Sequence, residues 1–340
     1  NGVGFFDMTS FGKIRVEGRD AEAVLQMVCA NDVAIEPGKL VYTQWLNRKG
    51  GVEADVTVTR LAETSFLVVT PSMTLPRDLA WLRRHTPEDA RVVSIDVTAI
   101  ECVIPVMGPR ARELLQQVTT ADLSNEAFPF GTAREIEIGL TRARAHRITF
   151  VGELGWEIYA TADMARHVFD QLWEAGRPMG LRPCGLHVLD SCRIEKAYRH
   201  MGHDMSDADN VLEAGLGFAV KTDKKPSRLG ASIGRDGVLA MRQRGLTKRL
   251  LQFKLRDPEP LLYHHEPIWR DGVRAGYVTS ANYGHALGGA IGLGYVACAP
   301  EEKPADIERS TFEIEVGGDK IAAVASFKPL YDPRQLRIKA

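Results

Sequence analysis

Apolar residues recur at two distinct spacings along the 340-residue chain. Between Asp20 and Cys29 they fall at Ala21, Val24, Leu25, Val28 and Cys29, the one-sided stripe of a helix with Asp20 as its predicted N-cap. A second helix is expected from Pro109, with Ala111, Leu114, Leu115 and Val118 inward. The clearest covers residues 162–175, where Met164, Ala165, Val168, Phe169, Leu172 and Trp173 share a face and Gly176 is the stop. Another is predicted from Leu186 to Arg199, ended by Gly202. Strand signals occupy residues 52–60, 65–70, 100–106, 144–150 and 156–160, and dominate beyond residue 246. There Asp271-Gly272 and Gly317-Gly318 read as hairpin turns.

Helical and extended signals therefore alternate, which predicts an α+β fold. The division runs between residues 1–237, two interleaved subdomains, and a smaller β-rich domain over residues 246–340. The polar stretch from Thr222 to Gly237 is expected to be a loop-rich bridge between them. A net charge of −1 gives no global electrostatic attraction to nucleic acid or to an anionic membrane. No apolar run reaches the roughly 20 residues of a membrane helix. Five scattered cysteines without a C-x-x-C pair predict buried thiols in a reducing compartment, with neither disulfides nor zinc. The chain opens on Asn1 and an apolar stretch without Met, so a preceding segment is expected to be absent from it.

Candidate chemistry sits where charge interrupts these patterns. In the run from Val41 to Leu61, Lys49-Gly50-Gly51 predicts a hairpin turn. Alternation along the second strand puts Ala54, Val56 and Val58 on one face and Glu53, Asp55, Thr57 and Thr59 on the other. That polar face is either solvated or the floor of a pocket centred on a carboxylate, with Tyr42 and Trp45 as possible walls. On the helix from Leu186, Asp190 and Arg193 share a stripe next to one bearing Ser191, Glu195 and Tyr198, a pattern that surface ion pairing would also produce. His200, His203 and Asp204 lack a further ligand cluster and are read as a hydrogen-bonding group, not as a metal site. Gly292 to Ala297 mimics a dinucleotide fingerprint but leads into a strand, so it is rejected. In residues 150–157, F-V-G-E-L-G-W-E, two glycines shape a corner. Glu157, bracketed by Trp156 and Ile158, is a costly place for a carboxylate without several donors.

Taken in order, residues 4–14, 41–61, 121–130, 150–157, 189–200 and 212–218 resemble the tetrahydrofolate-binding aminomethyltransferase fold of the glycine-cleavage T-protein. The same fold forms the C-terminal half of sarcosine and dimethylglycine dehydrogenases. The resemblance spans essentially the whole chain, and the F-V-G-E-L-G-W-E spelling with the closing P-L-Y-D-P-R-Q-L-R-I-K is nearest the sarcosine dehydrogenase branch. It implies a three-domain cloverleaf around a folate channel, with a β-barrel-like last domain. Asp55 falls on the family's catalytic aspartate and Glu157 on the glutamate that grips the pterin edge. Tyr42, Thr57, Phe150 and Arg193 fall on or beside folate-pocket positions. Glu153 is left to serve the corner. Two departures stand out: Phe150 replaces a frequent tyrosine, and Leu189 stands where the T-protein keeps a folate-contacting arginine, which weakens a glycine-cleavage assignment.

The activity so implied is transfer of a one-carbon unit from an oxidised N-methyl amine to tetrahydrofolate, giving 5,10-methylenetetrahydrofolate. Methyl transfer giving 5-methyltetrahydrofolate and a non-catalytic folate-binding or regulatory role are the alternatives. No flavin fingerprint is present, so the expected partners are folate, a small amine-derived donor and a separate flavin-dependent dehydrogenase domain or subunit. The expected location is cytoplasmic, or the mitochondrial matrix in a eukaryote.

Overall fold

The computed structural model describes residues 2–340, and three sheets organise it. The first is antiparallel and five-stranded, in the order Leu40–Leu46, Val52–Ala62, Ser65–Thr70, Gly12–Glu17, Val93–Asp96. Ala54, Val56 and Val58 point from one face onto the helix Ala21–Val28, whose Ala21, Val24, Leu25 and Val28 complete that core. The hairpin turn at Lys49-Gly50-Gly51 forms as expected, with Gly50 in the left-handed region at φ +84°.

A second, six-stranded sheet has the order Arg182–Cys184, Gly4–Phe6, Glu101–Met107, Gly155–Thr161, Thr141–His146, Ala133–Ile138. The helix Ala165–Gly176, preceded by a 3-10 turn at Ala162–Met164, buries Val168 and Leu172 against it. An apolar cluster joins this sheet to the first: Leu67 and Val69 from one side meet Phe6, Val103, Met107 and Tyr159 from the other. The third sheet closes into a barrel of six strands, Lys248–Leu255, Gly289–Ala297, Val273–Gly284, Pro267–Arg270, Phe312–Val316 and Asp319–Ser326. Both predicted hairpins, at Asp271-Gly272 and Gly317-Gly318, lie in it, and the rejected Gly292–Ala297 motif is part of one of its strands.

Several expectations are corrected. The strand expected at residues 144–150 is Thr141–His146, because the chain then turns on Arg147, whose buried guanidinium donates to the Phe128 and Ala340 carbonyls. The helix from Leu186 stops at Glu195, four residues short of Arg199. Gln252 of the barrel donates to the Ile194 and Glu195 carbonyls, and Ala197 takes φ +54°, so no further turn can form. Asp20 occupies the N-cap position as expected, but its side chain makes no capping bond; its carboxylate accepts from the Arg91 amide and pairs with Arg228. The helix after Pro109 is only Ala111–Leu115. The bridge from Thr222 becomes helical at Arg235–Arg244, and the helices Leu75–Arg84 and Pro304–Arg309 were not expected. All five cysteines are free, but only Cys29 and Cys102 are fully buried. Among the described residues no helix is long and apolar enough to cross a membrane.

The corner at residues 150–157 is fastened from outside. Gly152 sits at φ +75°, and a Cβ there would stand 2.7 Å from Cγ of Lys196. That lysine is wholly buried and its ammonium reaches the Asp332 carbonyl and carboxylate at 2.8 and 2.7 Å. Glu153 bonds to the Tyr331 hydroxyl, so it ties the corner to the C-terminal segment, a reach that its local sequence does not reveal. Gly152→Ala is expected to cost roughly 1–3 kcal/mol, because it combines left-handed strain with a clash on a packed stem. Urea unfolding measures this; an unchanged midpoint would show that the Lys196 stem moves aside freely.

Candidate folate site

Asp55 lies on the face of its strand opposite the helix-covered core, and that face is not solvated. Thr59 is buried, while Asp55 and Thr57 are half-buried. In the ladder Gln44 stands directly opposite Asp55 and Tyr42 directly opposite Thr57, so all four side chains share one face. The Gln44 amide donates to Asp55 Oδ1 at 2.8 Å, and the Tyr42 phenol on the same face favours the ionised carboxylate. Burial nevertheless dominates and pushes the Asp55 carboxyl up to about 6, with Asp78 nearby adding to the rise and Arg199 opposing it. Burial and the Asp55 charge together push the Tyr42 phenol well above its ordinary value, so Tyr42 stays a donor at neutral pH.

Two further groups frame this face. The Tyr42 ring stacks on Phe218 at 6.2 Å, and Phe218 closes the L-E-A-G-L-G-F stretch. Arg199 is held by the Ala214 and Ala197 carbonyls at 2.9 and 2.6 Å. Gly215, at φ +71°, leaves room for its guanidinium; a Cβ there would lie 2.6 Å from one nitrogen.

Glu157 comes from the other sheet. It pairs in register with Pro105 on one side and His146 on the other, and is only 9% exposed. Its Oε2 accepts from the Tyr159 hydroxyl at 2.7 Å, while Oε1 has no hydrogen-bond partner among the described residues. Burial pushes the carboxyl up to about 7. Phe150 stacks on Tyr198 at 6.2 Å and packs against the cluster that contains Tyr159, Leu189 and Val69. Val69 is in turn the cross-strand partner of Thr57. The Asp55 face and the Glu157 strand thus border one apolar cluster from two sheets.

Arg193 is placed differently from the other five predicted site residues. It is 1% exposed, and its guanidinium donates to Asp190, to Asp204 and to the Tyr198 carbonyl. The ion pair with Asp190 was legible as helical spacing, but the buried one with Asp204 was not. Asp204, fully buried, also accepts from Thr279, Ser280 and the His200 amide, which makes the H-M-G-H-D stretch an internal junction. Ser191 and Glu195 likewise dock the helix on the barrel, through the Tyr283 carbonyl and the Ala286 and Leu287 amides. Gln44, Arg199 and Tyr159 were not singled out from sequence. For Gln44 the signal was available, since it shares the alternation of Tyr42 and stands across a hairpin of readable register.

These residues fit a reduced folate. Its pterin edge carries adjacent N–H donors, which suit the free Oε1 of Glu157, and its rings suit aromatic and apolar walls. The Gln44 Oε1 is buried beside Asp55 without a hydrogen-bond partner among the described residues, one more acceptor open to a ligand donor.

Comparison with known proteins bears on the fold that carries these residues. Residues 1–224 match the GCVT N-terminal domain, and residues 248–332 match the glycine cleavage T-protein C-terminal barrel domain. The chain is 41% identical over 338 residues to the 4-methylaminobutanoate oxidase (formaldehyde-forming) of Paenarthrobacter nicotinovorans, covering 99% of this chain and 40% of that protein. It is 34% identical to human mitochondrial sarcosine dehydrogenase, over 98% of this chain and 38% of that one. The chain thus spans well under half the length of these two relatives. The crystal structure of the glycine cleavage system aminomethyltransferase T from Bartonella henselae superimposes with a TM-score of 0.83 at 25% identity, over 96% of this chain and 86% of that chain. Two matched domains in the expected order, together with the shared fold, establish that the chain belongs to the glycine cleavage T-protein family of folate-dependent aminomethyltransferases.

Proposed function

We propose that the chain is a one-carbon transferase module that captures the carbon of an oxidised N-methyl amine, delivered as an iminium or formaldehyde, on tetrahydrofolate to give 5,10-methylenetetrahydrofolate. The observation that carries this reading is the pair of carboxylates on two sheets, Asp55 half-buried beside Gln44 and Glu157 buried beside Tyr159, each moved toward neutral pH. Oxidation of the amine is assigned to a flavin-dependent dehydrogenase domain or subunit. The names of the two relatives, an amine oxidase and sarcosine dehydrogenase, support that donor class.

Folate supplies two nucleophilic nitrogens to receive the carbon. Everything else falls to the chain's own side chains. Glu157 holds the pterin edge through Oε1, which fixes the nitrogens relative to the incoming carbon, a positioning contribution. Asp55, with a carboxyl near 6, is present in both protonation states around neutral pH and can accept and return the proton that leaves a folate nitrogen. Its ionised form also stabilises positive charge developing nearby in a water-poor setting. Gln44 holds that carboxylate by Oδ1, and Tyr42, Thr57 and Phe150 line the approach. Arg193 acts through what it holds, keeping the chain from Leu189 to Tyr198 against the barrel.

Three outcomes test this. Asp55→Ala should bind tetrahydrofolate yet form methylenetetrahydrofolate from added formaldehyde 10²–10⁴-fold more slowly than wild type, the usual range for a lost acid–base group. Equal rates in both proteins would leave only a non-catalytic folate-binding role or an unrecognised donor, and absence of folate binding in wild type would end the folate reading altogether. Glu157→Gln should weaken tetrahydrofolate binding by roughly 1–3 kcal/mol, read by calorimetric titration. An unaltered affinity removes Glu157 from the site.

The same substitution should also reveal a stability cost. Glu157 titrates near 7 folded and near the ordinary 4.5 unfolded, so the folded protein holds its proton more tightly. The stability gained by keeping the acid neutral is complete below about 4.5 and is lost as pH rises through about 7. Wild type should therefore lose up to about 3 kcal/mol over that window that Glu157→Gln does not lose. Urea unfolding at pH 5 and pH 8 reads this; parallel pH dependence in both proteins would show that Glu157 ionises without penalty.

A further inference from the structure

We infer that Tyr159 is a positioning residue for the ligand-facing carboxylate: its hydroxyl pins Oε2 of Glu157 so that Oε1 is the oxygen presented to folate, and a row of side chains behind the ring pins Tyr159 itself. This rests on the reading of Glu157 as the pterin contact.

Tyr159 lies two residues beyond Glu157 on one strand, so both side chains point to the same face. The phenol is 2% exposed, and among the described residues its only hydrogen-bond partner is Glu157, at 2.7 Å. Its ring lies against apolar neighbours, among them Phe6, Val103 and Leu67, which would pack a phenylalanine equally well. The hydroxyl thus adds no hydrogen bond within the core, and the one it makes among the described residues is to the carboxylate.

The groups behind the ring come from the two flanking strands. His146 lies with its ring 4.3 Å from that of Tyr159, and the Arg144 guanidinium stands over the same ring at 5.2 Å. Arg144 donates through Nε to His146 Nε2 at 3.0 Å and through a terminal nitrogen to Glu101 at 2.9 Å. Accepting from Arg144 requires a lone pair on Nε2, so His146 is neutral with its proton on Nδ1. Burial and the Arg144 charge keep it neutral, well below its ordinary titration range. Burial and the neighbouring Glu157 hold the Tyr159 proton well above the ordinary phenol range. Of Glu157, Tyr159 and His146, the one that changes charge near neutral pH is therefore Glu157. Across the cluster, burial holds the Asp55 carboxyl up at about 6.

A donor on Oε2 favours the ionised carboxylate, the form that pterin N–H groups need. Removing it should shift the pH at which folate binding is lost, a change that simple loosening of the core would not produce. Tetrahydrofolate affinity is to be measured from pH 5.5 to 9 in wild type, Tyr159→Phe, Glu157→Gln and the double variant. Wild-type affinity should fall about tenfold per pH unit below the Glu157 midpoint near 7. In Tyr159→Phe that midpoint should move up by about one unit, so that affinity falls five- to tenfold at pH 7 and returns close to wild type at pH 9. The Asp55 inflection near 6 should stay in place, and Tyr159→Phe should have no further effect in the Glu157→Gln background. Carbon-13 NMR of labelled glutamate in the folate-free protein reads the Glu157 midpoint independently of binding.

An equal loss at every pH, or an unmoved midpoint while Glu157→Gln flattens the profile, overturns the role of Tyr159 and leaves the pterin contact intact. If Glu157→Gln itself leaves affinity untouched, the pterin reading falls, and this inference falls with it.

Discussion

The buried pair between Arg193 and Asp204 is the constraint on which the rest of the arrangement turns. A carboxylate with no exposed surface has to be met by donors on every side, because an uncompensated charge there would cost several kcal/mol. Asp204 draws those donors from three places at once: Arg193 on the helix, His200 in the following loop, and Thr279 with Ser280 on the barrel. Tyr295 adds a bond to its carbonyl. Helix, loop and barrel are thereby locked in one relation. Arg199 and Tyr198, which follow directly on the chain, are delivered to opposite parts of the site as a consequence.

Fixing that relation makes a second cost sustainable. Asp55 and Glu157 are each held where burial works against their charge, and neither receives the full set of donors that would relieve it. Among the described residues Asp55 has the Gln44 amide and Glu157 has the Tyr159 hydroxyl. A carboxylate left short of donors inside a protein is a local instability and an available acceptor for the same reason. The surrounding cores, one under each sheet and one between them, supply the stability that allows two such groups to persist.

Much of this was readable one strand at a time. The hairpin at Lys49-Gly50-Gly51, the alternation that put Asp55 and Thr57 opposite Val56 and Val58, and both barrel hairpins follow from turn chemistry and a period of two. The helix at Ala165–Gly176 follows from its apolar stripe. Misses cluster where an element ends on a distant partner. The helix from Leu186 looked four residues longer because nothing nearby announces that Gln252 will take its last carbonyls. Residues 147–150 looked extended because the acceptors that turn Arg147 inward lie on the Phe128 loop and at Ala340. Glu153 seemed a local corner residue because Tyr331 is 178 positions away.

The sequence by itself determined which residue types stand on which face, the order of the motifs, and the family to which that order points. Those properties depend on spacing along the backbone, and spacing is local. Only the tertiary structure decided which carboxylates are deprived of water and which are satisfied. Asp55, Glu157 and Asp204 are equally acidic in the sequence, yet the fold gives Asp204 four hydrogen bonds to its carboxylate and Glu157 one. Solvation of a charge is set by everything that packs around it, and most of what packs around these three comes from strands and loops far away along the chain.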